Sequence, residues 1–420
     1  MRCMNGLRHK VVVLGGGAAG MMAAGAAAEA GAKVILVEQN DRLGKKLAIT
    51  GKGRCNVTNC CSAEEVLKNI PRNARFLYSA LDAFSPEQAM AFFEAHGCPL
   101  KVERGNRVFP ISDKSASVIG ALEQYLRSGG VEVFRGKAIK LLTQEGTVCG
   151  VETSRGTISA SRVILATGGR SYPLTGSDGS GYGLAQEVGH TIVPTWGSLV
   201  PLEEDGDYCA RLQGLSLRNC AIKVKNQAGK TIYQDFGELL FTHFGLSGPV
   251  ILSASAHGKP GDLHTVFIDL KPALDEQKLD LRILRDFEQY QNRTIEHALQ
   301  DLYPRLLIPV MVERAGIPPE TRANSVTRAQ RRRLLELTKA FPVKIRGRRP
   351  VEEAIITAGG VSVREVNPKT MESKLVHGLY LAGEILDVDG YTGGFNLQIA
   401  WATGRAAGLA AARKEEEERP

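Results

Sequence analysis

The stretch from Lys10 to Glu38 constrains this chain more than any other. The apolar run Val11-Val12-Val13-Leu14 leads into Gly15-Gly16-Gly17-Ala18-Ala19-Gly20. An Ala-rich segment then reaches Gly31, and a second apolar run, Val34-Ile35-Leu36-Val37, ends on Glu38. Strand, glycine turn, helix, strand and acid in this order form the unit that holds the ADP half of a dinucleotide. Gly15 suits a tight turn out of the strand, Gly17 a close approach of pyrophosphate, and Gly20 the packing of helix on strand. The N–H groups of the helix start, at Ala18 and Ala19, face the phosphates with the positive end of the helix dipole. Glu38, with Gln39 beside it, sits at the tip of the second strand, where it accepts hydrogen bonds from ribose hydroxyls. A carboxylate there repels a 2′-phosphate, so the site suits FAD or NAD and not NADP.

The same stretch mimics a membrane span. Residues 11–28 carry no charge, and Arg2, Arg8 and Lys10 precede them as in a signal peptide. Five of those residues are glycine, however, and the apolar part proper is one short strand. The expectation is a soluble, cytoplasmic protein without a membrane partner.

A chain of 420 residues has material for two or three domains. Its eight cysteines form no CxxC pair and show no zinc spacing, so reduced, mostly structural thiols are expected and no metal site. The net charge of +8 is concentrated. Twelve Lys or Arg against three acids between Arg305 and Arg349 put +9 in that segment, and the rest of the chain is nearly neutral. The run from Lys414 to Pro420 reads as a frayed, solvated tail.

Pattern divides the chain into four parts. Residues 1–190 alternate strands and helices, with strands over Val131–Phe134, Ala138–Thr143, Val148–Thr153 and Thr157–Leu165. Residues 191–272 carry short β runs separated by Gly, Pro and Asn, as a small sandwich or barrel does. Residues 273–349 read as a basic helical subdomain. Residues 350–420 return to α/β character and complete the nucleotide domain, ending in a helix from about Asn396 to Ala412.

Three further blocks point to the same ligand. The strand end Ala166-Thr167-Gly168-Gly169 returns the chain to the first glycine turn. The run Gly378 to Gly383-Glu384, followed by Asp387 and Asp389, sets backbone and carboxylates beside a ribityl chain and pyrophosphate. Gly390-Tyr391-Thr392-Gly393-Gly394-Phe395-Asn396, continuing into Leu397, opens the last helix with unpaired N–H groups. These suit the flavin edge where negative charge gathers in the reduced ring. Together the blocks favour FAD over NAD. The basic loop Arg42-Leu43-Gly44-Lys45-Lys46-Leu47 and Gly51-Lys52-Gly53-Arg54-Cys55-Asn56 suits a segment wrapping pyrophosphate and isoalloxazine.

These motifs resemble the BaiN/RdsA-type family of bacterial FAD-binding proteins, also called HI0933-like or aminoacetone-oxidase-like. The resemblance rests on Gly15–Gly20, Gly44–Lys46, Gly51–Asn56, Phe241-Thr242-His243-Phe244-Gly245-Leu246-Ser247-Gly248-Pro249 and Thr357-Ala358-Gly359-Gly360-Val361. It continues through Thr370–Ser373, Leu381–Asp389 and Gly393–Gln398, and so spans nearly the whole chain. It implies an α/β fold in which a Rossmann-like FAD-binding domain of the two-dinucleotide-binding flavoprotein type carries an inserted β-rich domain and a helical subdomain. It also implies reduction of conjugated C=C bonds, oxidation of an amino-ketone, or formation of dihydrouridine in 23S ribosomal RNA.

Three functions follow as expectations. The first is a reductase that passes a hydride to an electron-poor C=C bond, with uridine in RNA as one substrate. The chain has a single GxGxxG, so NAD(P)H is expected only as a transient electron donor. Arg331, Arg332, Arg333, Arg346, Arg348 and Arg349 are the candidates for contacting ribosomal RNA or an acidic ligand. The second is a small-molecule flavin oxidase or reductase, and the third a non-enzymatic RNA-binding or redox-sensing flavoprotein. Cys55 and His243 are the candidate proton donors, with Arg54 placed to tune the Cys55 thiol.

Overall fold

A computed structural model describes residues 10–258, 261–262 and 264–413. Residues before Lys10 and the charged run from Lys414 lie outside the described residues. The chain forms two compact units, one from the residues up to Ser198 together with Val351 onward, the other from Leu199 to Pro350.

The apolar runs around the glycine turn build the centre of the first unit. Strand Lys10–Leu14 lies in parallel between Lys33–Glu38 and Arg162–Leu165, with Glu132–Arg135 and Leu379–Leu381 at the two edges. Val11, Val12 and Val13 are fully buried, as expected for a parallel sheet covered on both faces. Helix Ala18–Glu29 is buried continuously from Ala19 to Ala27 and packs against the last helix, Phe395–Ala411. Neither helix is amphipathic, because a helix covered all round has no solvent face to mark. The expected strand Thr157–Leu165 is broken instead: Gly156–Ser159 pairs with Thr147–Thr153, and Arg162–Leu165 joins the parallel sheet.

The second unit is built on a closed six-stranded barrel. Its order is Leu202–Glu204, Gly245–Ser247, Thr231–Thr242, Ser216–Asn226, His264–Asp269 and Phe341–Arg348. Strand Phe341–Arg348 alternates as a barrel strand must, with Phe341, Val343 and Ile345 inward and Lys344 and Arg346 exposed. Leu279 and Ile283 of helix Glu276–Gln289, and Leu334 and Leu337 of helix Arg328–Lys339, share one core with barrel residues Phe241, Ile268 and Phe341.

The borders expected from sequence shift accordingly. Strand Ile192–Ser198 pairs with Ile356–Val361 and belongs to the first unit. From Leu199 on, the rest of the 191–272 segment and the 273–349 segment form one unit, because the helices cover the barrel and its last strand follows them. Among the described residues, no helix is long and apolar enough to cross a membrane.

Candidate functional site

Gly15 leaves the first strand with φ +103, and its N–H donates to Val37 O at 2.8 Å. A Cβ at this position would lie 2.5 Å from Ala166 O and 3.0 Å from Thr167 Cα, so the two strand ends meet backbone to backbone. The Gly16 N–H donates to Glu38 Oε2 at 2.6 Å, while Glu38 Oε1 accepts from the backbone and side-chain nitrogens of Asn40 at 2.7 and 2.6 Å. Glu38 is thus buried and fixed at the strand tip; Oε1 is filled by its two Asn40 donors, and Oε2 keeps one lone pair for a further donor. Gln39 turns away and donates to Gly176 O at 2.9 Å.

Gly17 differs from its neighbours, since a Cβ there would meet nothing within 4 Å. The first bond of the helix runs from Met21 N–H to Gly17 O, which leaves the N–H groups of Ala18, Ala19 and Gly20 ahead of it. A Cβ at Gly20 would lie 1.8 Å from Gly15 O, so the helix starts in direct contact with the turn. Open space over a helix start, with a fixed carboxylate at the neighbouring strand tip, fits a pyrophosphate and its ribose.

A second cluster joins segments far apart in sequence. Lys46 Nζ donates to Glu384 Oε2 at 2.7 Å and to Ser171 Oγ at 2.6 Å. Glu384 Oε1 accepts from Thr357 N and Ser171 Oγ at 2.9 and 3.1 Å, and Thr357 Oγ1 accepts from the amides of Arg170 and Ser171. Lys45 approaches only Asn40 Oδ1, at 3.5 Å. Gly168 and Gly169 connect Thr167 to this cluster, and the Gly383 N–H is taken by Thr403 Oγ1 at 3.0 Å. Ser171 and Thr357 were not singled out as site residues in the sequence. Thr357 stands in a Thr-Ala-Gly-Gly block whose two glycines are the available signal.

Several buried polar atoms of this unit have no hydrogen-bond partner among the described residues: Asn56 Oδ1, Thr167 Oγ1, Tyr182 OH, Trp196 Nε1 and Asp387 Oδ1. Buried polar groups are rarely left unpaired, and three of these five sit on motifs assigned to the cofactor. Asp387 receives Asn73 Nδ2 on Oδ2 at 2.9 Å, and burial raises its carboxyl pKa against the pull of Arg72. Arg72 pairs with the fully buried Asp389, which also accepts from Ser198 Oγ at 2.8 Å. Burial raises the Asp389 carboxyl as well.

The last helix begins after Gly394, and its first bond, Gln398 N–H to Gly394 O, leaves the amides of Phe395, Asn396 and Leu397 ahead of it. The Asn396 side chain closes the preceding loop on the Gly390 N–H and C=O, each at 2.7 Å, and Asn59 Nδ2 holds Gly393 O at 3.1 Å. Asn396 therefore shapes the loop.

The structure corrects the reading of Arg54 and Cys55. Arg54 lies over the Phe109 ring and pairs with Glu103 and Asp113, next to exposed Gly53, so its charge is spent. Cys55 is fully buried, and burial pushes its thiol up to about 12. His243 belongs to the other unit, exposed in the turn between strands Thr231–Thr242 and Gly245–Ser247, with its ring edge-on to Phe244.

The basic segment is only partly paired and keeps a net positive charge. Arg331 pairs with Asp280 at 2.9 Å, Arg346 and Arg349 with Glu203 at 3.2 and 3.0 Å, and Lys339 with Asp269 at 2.6 Å. Arg348 holds the carbonyls of Ser255, His257 and Gly258. Arg332 and Arg333 share Glu336 and stay exposed.

Residues 9–410 match the family described as HI0933-like protein Rossmann domain. The chain belongs to this family. It is a flavoprotein oxidoreductase with a Rossmann nucleotide-binding domain. Among curated relatives, the 3-dehydro-bile acid delta(4,6)-reductase of Clostridium scindens is 34% identical over 92% of this chain and 94% of its own length. The ribosomal RNA dihydrouridine synthase of Escherichia coli is 29% identical over 94% and 96%. A solved 3-ketosteroid-delta4-(5alpha)-dehydrogenase from Rhodococcus jostii RHA1 aligns over 98% of each chain at 16% identity, with a TM-score of 0.48.

Proposed function

We propose that this HI0933-like protein uses FAD to reduce a C=C bond conjugated to a carbonyl, with NAD(P)H as transient electron donor. The carrying observation is the open helix start at Gly17 beside the Glu38–Gly16 brace. The amides of Ala18 and Ala19 would take the pyrophosphate, and Glu38 the adenosine ribose. The amides of Phe395, Asn396 and Leu397 would meet the flavin edge. FAD, when bound, supplies hydride transfer to an electron-poor carbon.

The chain's own residues do the rest. A helix start aimed at developing negative charge stabilises it without rearrangement. The Lys46–Glu384–Ser171–Thr357 cluster holds the wrapping loop against both strand ends. A proton must reach the carbon next to the one reduced. Asp387 carries a buried carboxyl whose pKa burial raises above the ordinary carboxylate value, with one oxygen unpartnered among the described residues. It joins His243 as the candidate donor in place of Cys55.

For the substrate, uridine in 23S ribosomal RNA is supported by the exposed Arg332, Arg333 and Arg346 and by the name of the 29%-identical relative. The second reading, a small carbonyl-conjugated alkene, is favoured by the ion pairs that engage part of the basic segment and by the name of the 34%-identical relative. Mass spectrometry of nucleosides from the rRNA of a deletion strain separates them. Loss of dihydrouridine, restored by the gene, supports the first. An unchanged nucleoside profile leaves the second.

A further inference from the structure

A cleft in the second unit, remote in sequence from every nucleotide motif, opens between the start of strand Ser216–Asn226, the end of strand His264–Asp269 and the segment around Tyr303. It encloses about 190 Å³ and is lined by Ser216, Arg218, Asn219, Lys271 and Tyr303, among others. Two of these residues are cations. Among the described residues neither Arg218 nor Lys271 has an ion-pair or side-chain hydrogen-bond partner.

That is unusual for this unit, where half-buried basic side chains are otherwise engaged. Lys339 is held by Asp269, Arg331 by Asp280, and Arg282 by Asp286. Lys271 is half-buried like them, and burial together with the neighbouring Arg282 lowers its pKa, the mark of a cation lacking a counter-charge. Of the nearby carboxylates, Asp269 is neutralised by Lys339 and accepts the Lys271 backbone N–H at 3.0 Å, while Glu238 is exposed and accepts from Ser216 Oγ at 3.0 Å. The Tyr303 hydroxyl is spent on Thr338, so the ring forms an apolar wall.

We propose that this cleft is a binding site for a phosphate oxyanion, held by Arg218 and Lys271 with Asn219 as a further donor. An anion there supplies the counter-charge that Lys271 lacks, and charge-assisted bonds from guanidinium and ammonium groups are the strong ones for phosphate. The volume admits a phosphate with part of an attached sugar, so the source is either a free phosphate compound or a nucleic-acid backbone. The site is independent of the cofactor assignment, whose nucleotide motifs all lie in the first unit.

The test uses purified holoprotein, so that bound FAD keeps the nucleotide site filled. Inorganic pyrophosphate and a short single-stranded oligoribonucleotide are titrated separately against wild type, R218E and the double variant R218Q/K271Q. Flavin absorbance and melting temperature report folding. Arg218 is exposed, so R218E keeps the test valid if the double variant folds poorly. Wild type should bind pyrophosphate saturably, and each variant should bind it about tenfold or more weakly, with the flavin spectrum unchanged. A parallel loss of oligoribonucleotide affinity, with the salt slope falling by about two in the double variant, identifies a nucleic-acid backbone. Unchanged oligoribonucleotide binding identifies a free phosphate compound. No saturable binding of either probe by wild type, or wild-type affinity for both in folded R218E, overturns the proposal.

Discussion

The Gly16 amide donates to the Glu38 carboxylate across 2.6 Å, tying the glycine turn to the tip of the neighbouring strand. The bond gives Glu38 two tasks, bracing the turn and presenting the remaining lone pair of Oε2 to a ribose. Glu38→Ala should therefore weaken FAD binding and lower folding stability, each by roughly 1–3 kcal/mol, since the Gly16 and Asn40 donors lose their partner. Glu38→Gln keeps one accepting oxygen but turns a donating NH2 toward either Gly16 or Asn40, so it should recover only part of the stability and less of the affinity. Flavin fluorescence on release and thermal melting read the two effects separately.

Gly17→Val places a branched side chain in the open space over the helix start, where a Cβ meets no protein atom. The folded protein should tolerate it, because the Gly17 backbone is extended at φ −85. FAD content after purification should fall severely while the melting temperature of the apoprotein stays near wild type. Full FAD occupancy in this variant would remove the pyrophosphate from the turn.

Proton delivery separates three residues. Asp387→Asn and His243→Ala should each be tested in the two half-reactions, flavin reduction by NAD(P)H and its reoxidation by substrate. The group that delivers the proton slows the second by roughly 10²-fold or more and leaves the first intact. Cys55→Ser should lower stability, because a hydroxyl replaces a fully buried thiol, with normal turnover per bound flavin.

His190 makes stability depend on pH. Its ring is buried between Glu365 and Ser373, and burial lowers its pKa despite the carboxylate. The folded state therefore binds fewer protons than the unfolded state near the ordinary histidine value of about 6.5. Stability from this group is complete above that value and is lost as pH falls below it. Melting temperature should decline through that range in wild type, and His190→Gln should flatten the decline.

What the sequence reveals of this molecule is set by how local each signal is. The Gly15–Glu38 unit is legible because strand, turn, helix and acid are contiguous, and positive φ at Gly15 leaves few alternatives to glycine. Glu384 and Lys46 are legible singly, but their pairing through Ser171 and Thr357 depends on strand Ile356–Val361 pairing with Ile192–Ser198 across the entire second unit in sequence. Arg54 misleads for the same reason, since Glu103 and Asp113 reach it from segments that spacing does not connect. The barrel strand Phe341–Arg348 alternates plainly at Phe341, Val343 and Ile345, yet the charges at Lys344, Arg346 and Arg348 make it read as part of a basic helical segment. Ion pairing of that segment with Asp280, Glu203 and Asp269 is likewise a product of tertiary contact.

The central claim is FAD-dependent reduction of a carbonyl-conjugated C=C bond, and anaerobic reoxidation of the donor-reduced holoprotein tests it most directly. Reduced protein is mixed without oxygen with a uridine-containing rRNA fragment and, separately, with a steroid enone or dienone, while flavin absorbance is followed and the product weighed. The account predicts that one acceptor restores the oxidised flavin spectrum and gains two hydrogens per flavin reoxidised, one of them from the NAD(P)H hydride. A protein that carries no FAD, or whose reduced flavin is reoxidised by oxygen alone and by neither acceptor, would contradict it.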